Sequence, residues 1–337
     1  MFIHVSVLAF AASLLSSRSL VIALSSSEIL SDTPISSLLA TANAHLARGE
    51  TNDALNYYDI AASRDPNNYL TFFKRGATYL LLGRTAQALQ DFDQVLTIKP
   101  GFEGALLQRA KIKSKNGEWE AAKKDYVAAG KNGGPEMAEL EEAEGAATLA
   151  VDAEKRGNLE ECITHSGVAI MVASRNLSLR QIRTRCRFER GEIQEGISDL
   201  AHVLQLQSGL TDPHLQISAI LFYALKDTER GLAQIRKCLH SDPDSKSCKK
   251  LYKQEKMIDK TLAKIKKSFG KKQFAGAVKL LVPSGEDQGL IQDIKNDVKE
   301  LREVGTIPAH ASNDLVALTV DMACEAYTEA CYNNPIC

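Results

Sequence analysis

Small, aromatic and chain-breaking residues return at a fixed step through the first part of the chain. Ala54, Ala88 and Ala122 stand 34 residues apart, and so do Tyr58, Phe92 and Tyr126. Gly49, Gly83 and Gly117 keep the same step, as do Pro66 and Pro100, with Gly134 in the third proline slot. The pattern predicts pairs of antiparallel helices. An alanine at the crossing lets the second helix approach the first, and the aromatic fills the gap between neighbouring pairs. The glycine ends the first helix, because Gly enters the left-handed conformation cheaply. The proline follows the second helix, where it cannot continue the hydrogen-bond ladder.

A 34-residue period with these positions in this order resembles the tetratricopeptide repeat (TPR). The resemblance implies an all-α solenoid of stacked helix-turn-helix repeats, wound into a right-handed superhelix with a concave groove. With glycine as phase marker, the first three repeats are 35–68, 69–102 and 103–136. The phase then slips, and the acidic stretch 136–144 lengthens the next helix. Gly157 restarts it with Cys162 in the alanine slot, giving repeats at 143–176 and, from Gly191, 177–210. Gly231 and Pro243 fit a sixth at 212–245. A long basic helix beginning near Cys248 leads into a degenerate seventh built on Phe274 and Ala277. Residues 285–310 are ambiguous. Residues 311–330 look like the first helix of an eighth repeat without its partner, so the chain reads as cut short. The expected blocks are 35–136, 137–245 and 246–337.

The amino terminus is different. Residues 5–15 are almost wholly apolar and 20–24 continue the trend, so residues 1–23 read as a cleaved secretory signal peptide, although its start has His4 and no Lys or Arg. An uncleaved anchor and a disordered start are the alternatives. No later apolar run approaches the roughly 18–20 residues a membrane span needs, so no span is expected after signal cleavage. The seven cysteines gain meaning in an oxidising lumen. Cys238 and Cys248 flank an inter-repeat turn and read as a disulfide, the alternative being two buried thiols. Cys162 and Cys186 read as core residues, and Cys324, Cys331 and Cys337 have no evident pairing. Asn176-Leu177-Ser178 is a glycosylation acceptor sequon.

With 25% charged residues and a formal net charge of −1, nothing in the bulk charge points to nucleic acid. The lysine-rich run 246–272 reads as a solvated helix face, since no aromatic stacking platform accompanies it. No phosphate loop, HExxH, nucleophile elbow or paired CxxC is present, and neither a metal nor another cofactor is implied. Cys162 and His165 share a helix face, but the alanine-slot position makes Cys162 a packing residue. The chain is therefore read as a binding protein and not an enzyme.

The groove carries the functional reading. Leu39, Leu46, Leu70, Phe73, Ala77, Leu80, Leu81 and Leu107 fall at concave-facing positions of the first helices. An exposed contiguous apolar surface points to a binding site. TPR domains that clamp acidic chaperone tails place Lys, Asn and Arg there. Asn43 is in place, but Leu39, Lys74, Gly104 and Gln108 stand where the other clamp residues would be, so an apolar peptide groove is favoured.

Tyr69-Leu70-Thr71-Phe72-Phe73-Lys74-Arg75-Gly76-Ala77 and Leu106-Leu107-Gln108-Arg109, with Cys238-Leu239 through Cys248 and Tyr252-Lys253-Gln254, resemble the DnaJ-homologue subfamily C member 3 co-chaperones. The likeness spans roughly 35–285. It implies a protein of the endoplasmic reticulum (ER) lumen that holds unfolded polypeptide clients in its TPR groove. In that family a J domain passes the client to a BiP-type chaperone and stimulates its ATPase, and the family is also described as restraining stress-activated kinases. No His-Pro-Asp tripeptide occurs in this sequence, so ATPase stimulation is not expected of this polypeptide. The competing readings are a scaffold for one folded partner such as a stress kinase, and a cytosolic adaptor.

Overall fold

The computed structural model describes residues 32–285 and 287–332; the expected signal peptide lies outside them. The chain forms two compact units, through Arg109 and from Ala110 onward. The division falls inside a helix, not at the 136/137 boundary read from the phase slip.

In the first unit the helices are α1 (Ile35–Ala47), α2 (Thr51–Arg64), α3 (Tyr69–Leu81) and α4 (Thr85–Ile98), with α5 (Glu103–Asn116) beginning in it. α1 packs on α2 and α3 on α4. The repeat markers do the packing that their chemistry dictates. Ala54, Ala88, Tyr58 and Phe92 are completely buried, whereas Gly49 and Gly83 make the turns with φ of 79° and 71°. Removing a buried ring such as Phe92 is worth about 3–5 kcal/mol in cores of this kind.

The second unit continues with α6 (Trp119–Ala128), α7 (Pro135–Arg156), α8 (Leu159–Val172), α9 (Leu177–Arg190) and α10 (Ile193–Leu206). α11 (Thr211–Ala219) runs into a π-helical turn, Ile220–Ala224, and is followed by α12 (Thr228–Ser241), α13 (Lys246–Gly270), α14 (Phe274–Leu281), α15 (Leu290–Glu303) and α16 (Asp314–Tyr332). The slip in phase is α7 itself, 22 residues long, with Pro135 at its first turn, where a missing N–H costs nothing.

Gly231 is not a turn glycine. It occupies the small-residue slot, where a Cβ would lie 2.7 Å from Phe222 Cβ. The left-handed turns of the sixth and seventh pairs are made instead by Lys226 and Lys272, with φ of 50° and 56°. Counting glycines therefore loses the register after Gly191. Residues 290–303, ambiguous in sequence, form α15, whose Leu290, Ile294 and Val298 are buried. The expected lone first helix at 311–330 is α16, and it is not unpartnered: it packs on α14, α15 and the π-helical turn.

A second periodicity runs beneath the first. Arg75 chelates the buried Asp91, with Nε and Nη2 donating at 2.9 and 2.7 Å, and its Nη1 reaches Asp59 at 2.9 Å. One repeat on, Arg109 meets Asp93 at 2.6 Å and Lys113 meets the buried Asp125 at 2.8 Å. After the slip, Arg183 and Arg187 converge on Asp199, which is 2% exposed. A buried aspartate on a second helix thus fixes basic side chains of the first.

Candidate functional site

The apolar positions singled out in the sequence all lie in the first unit. On α3, Leu70, Phe73, Ala77, Leu80 and Leu81 follow the spacing of one helical stripe. The opposite side carries the buried Phe72 and Gly76. A Cβ on Gly76 would come within 2.9 Å of Phe92, so that face is committed to α4. The stripe is less so: Leu70 is 41% and Leu81 75% exposed, and Phe73, Ala77 and Leu80 are half-buried. On α1, Leu39 and Leu46 are half-buried against the Ala42, Ala54 and Tyr58 cluster, and Leu107 on α5 is half-buried. Asn43 is exposed and its Oδ1 accepts a 2.8 Å hydrogen bond from the Tyr58 hydroxyl.

Phe73 has a structural role that its place in the stripe does not reveal. Its ring meets Phe102 edge-on at 5.1 Å and Phe92 at 6.0 Å between centroids. Gly104 faces the same ring, and a Cβ there would sit 3.0 Å from it. The glycine at the would-be clamp position therefore makes room for an aromatic instead of holding a carboxylate. Tyr69 extends the cluster, 5.1 Å from Phe102, and the Lys99 ammonium stands 4.4 Å from the Tyr69 centroid. Tyr69, Lys99 and Phe102 were not singled out from sequence. Their signal was local, an aromatic after Gly101 facing another one turn before Phe73.

The two other expected sites lie in the second unit. Asn176 caps α9, its Oδ1 accepting from Leu179 N at 3.0 Å while its Nδ2 donates to Asn116 O at 3.2 Å. Gly117 is so close that a Cβ on it would meet Asn176 Nδ2 at 2.3 Å. The Asn176 amide is thus engaged on both its atoms in the folded chain, and its use as a glycan acceptor stays a proposal. A glycosidase-sensitive mobility shift that is lost in Asn176→Gln would show the site in use, and no shift would show it unused.

Cys238 and Cys248 are bonded to each other across the α12–α13 turn, with Cα atoms 6.3 Å apart. Cys162 and Cys186, read as core residues, are buried and also bonded to each other, joining α8 to α9. Each bond ties the second helix of one pair to the first of the next.

His45, Glu50 and Asp53 bring possible metal ligands within 4.8 Å of one another. The Arg48 guanidinium already lies there, 2.8 Å from Glu50 and 3.1 Å from His45 Nδ1. Its hydrogen bond holds the Glu50 carboxyl below the usual range. A resident cation opposes a metal at this point. The stripe on α3 thus offers shape and apolar area, not reactive groups.

The tetratricopeptide repeat family model matches residues 39–101. A co-chaperone of Fusarium oxysporum f. sp. lycopersici, named tetratricopeptide repeat and J domain-containing co-chaperone DNJ1, is 51% identical over 309 residues, 91% of this chain and 59% of its own length. DnaJ homolog subfamily C member 3 of Mus musculus is 32% identical over 226 residues, 64% of this chain and 45% of the relative. The crystal structure of the P58(IPK) TPR domain shares the fold, with a TM-score of 0.64 at 23% identity, covering 89% of this chain and 93% of that one. The chain spans about half the length of the curated relatives it matches.

Proposed function

Because this chain is a tetratricopeptide-repeat protein, homologous to the DNJ1 and DnaJ homolog subfamily C member 3 co-chaperones, we propose that it holds unfolded polypeptide clients. The stripe Leu70, Phe73, Ala77, Leu80 and Leu81 is the contact surface, with Leu39, Leu46 and Leu107 beside it. The observation that carries this reading is the exposure of Leu70 and Leu81 on a helix whose other face is packed. An apolar surface without a charged clamp takes extended hydrophobic segments with little sequence demand. Work is done by binding, not by turnover.

The compartment in this proposal is the ER lumen. The apolar residues 5–15 and 20–24 support it, as do two bonded cysteine pairs, which persist in oxidising compartments. The J domain in the relatives' name belongs to the function of those proteins. Hand-off to a BiP-type chaperone is proposed for this chain only in partnership with such a domain.

Leu70→Glu with Leu81→Glu tests the surface, since both side chains are exposed and the change spares the core. Burying one leucine contributes about 1.5–3 kcal/mol. The double variant is therefore expected to need at least tenfold more protein to suppress aggregation of a reduced, unfolded substrate. Unchanged suppression, with an unchanged melting curve, would remove the proposal. Phe73→Glu is a poorer test, because it also breaks the packing against Phe92 and Phe102. Capture of one stoichiometric folded partner, such as a kinase, with no affinity for unfolded chains would favour the scaffold reading.

A further inference from the structure

The second unit contains a cavity of about 970 Å³ between α10, α11 and α12. Its apolar wall is formed by Ile197, Leu204, Ile217 and Leu221, and α12 contributes Arg230, Arg236, Lys237 and His240. No carboxylate lines it among the described residues. Asp227, which pairs with Arg230, stands outside the lining, and neither Arg236 nor Lys237 is in an ion pair among the described residues. The buried His214 adds no charge. Gln234 Nε2 donates to its Nδ1 at 2.8 Å, and its Nε2 donates to Ser208 O at 3.1 Å. Burial also pushes its pKa below the ordinary histidine value. The cavity is therefore apolar within, neutral where it is polar, and cationic along one edge.

We infer that this cavity takes an acidic peptide segment of a partner protein, anchored by an aliphatic side chain. Arg230 and Lys237 are two turns apart on one face of α12, about 10 Å along its axis. Acidic residues three apart in a peptide of polyproline II conformation share one face and span a similar distance, at about 3.1 Å per residue and three residues per turn. Carboxylates lie along the Arg230–Lys237 row while a leucine between them enters against Ile217 and Leu221. The charges set orientation and on-rate, and the apolar anchor sets residence time. The site is separate from the α3 stripe and does not rest on the client-binding proposal.

The test is fluorescence anisotropy on the full chain at low salt. The probe is a labelled decapeptide with a Glu-Leu-Leu-Glu core, compared with Lys-Leu-Leu-Lys and Glu-Ser-Ser-Glu versions. The acidic aliphatic peptide is expected to bind at least tenfold more tightly than either. Arg230→Glu with Lys237→Glu, both exposed, should weaken it at least tenfold, and added salt should do the same in part. Ala201→Trp, on the exposed wall, should block it without changing charge, whereas Leu70→Glu with Leu81→Glu should leave it intact. Equal binding of the three peptides would overturn the inference, as would wild-type binding by both cavity variants or its loss in the α3 variant.

Discussion

Glu255→Gln is expected to flatten the pH dependence of stability between about pH 5 and pH 8. Glu255 on α13 is completely buried, and both its carboxyl oxygens lie within 3.1 Å of Ser218 Oγ. That hydroxyl has one proton, and Gly231 O stands 2.7 Å away to take it. A protonated carboxyl then donates to Ser218 and completes the chain. Burial pushes the Glu255 pKa up to about 8, with Asp297 adding to the shift. The folded state therefore keeps a proton that the unfolded chain releases above its ordinary value of 4.5. Stability is full below that value and falls as pH rises toward the folded pKa, by about 1.4 kcal/mol per pH unit. Glutamine keeps a donor toward Ser218 and does not titrate. Urea unfolding near pH 5 and pH 8 should show the wild type losing about 3 kcal/mol more than the variant over that interval. Parallel pH profiles would mean that Glu255 is not a buried titrating acid. Asp297, also raised by burial and bonded to Tyr223 and Gln254, titrates in both proteins and leaves the variant a residual pH dependence.

Asp199→Ala is expected to cost the second unit about 3–5 kcal/mol, the range for removing one partner of a buried ion pair. Arg183 donates to Asp199 through Nε at 2.9 Å and Arg187 through Nη1 at 2.6 Å. Without the carboxylate, Arg183 has no other ion-pair partner among the described residues, and Arg187 keeps only Glu192 at 3.7 Å. Arg180, whose pKa burial and Arg183 already lower, stands near them. Adding Arg183→Met to the alanine variant should restore part of the loss, because the uncompensated charge goes with it. Thermal or urea melts of the single and double variants decide this. A double variant no more stable than Asp199→Ala would show that lost packing, not stranded charge, sets the cost.

Much of the helix pairing was legible because the 34-residue step combines several independent demands at once. Ala54 must be small, Tyr58 must fill, and Gly49 must turn; agreement among them is hard to produce by chance. Legibility failed where a different residue met the same demand. Lys226 and Lys272 adopt the left-handed turn without being glycine, and Gly231 is small without being a turn. The ion pairs of Arg75 and Arg109 were present in the sequence at the same step, and that of Arg183 recurs after the slip. They went unread because a charged residue on a helix is ordinarily a solvated one.

For this protein, the 34-residue period of Gly49, Gly83 and Gly117 by itself determined an all-helical repeat chain, since local turn and crossing sterics are set by residue type. It also placed an apolar stripe on α3, because helical periodicity alone puts Leu70, Phe73, Ala77, Leu80 and Leu81 on one face. Only the tertiary structure decided how that stripe divides, with Leu70 and Leu81 in solvent and Phe73 wedged against Phe102 over Gly104. Only it closed Asn176 against Gly117, joined Cys162 to Cys186, and set three helices around a cationic cavity. Each of these depends on distances between residues far apart in the chain, which no local pattern encodes.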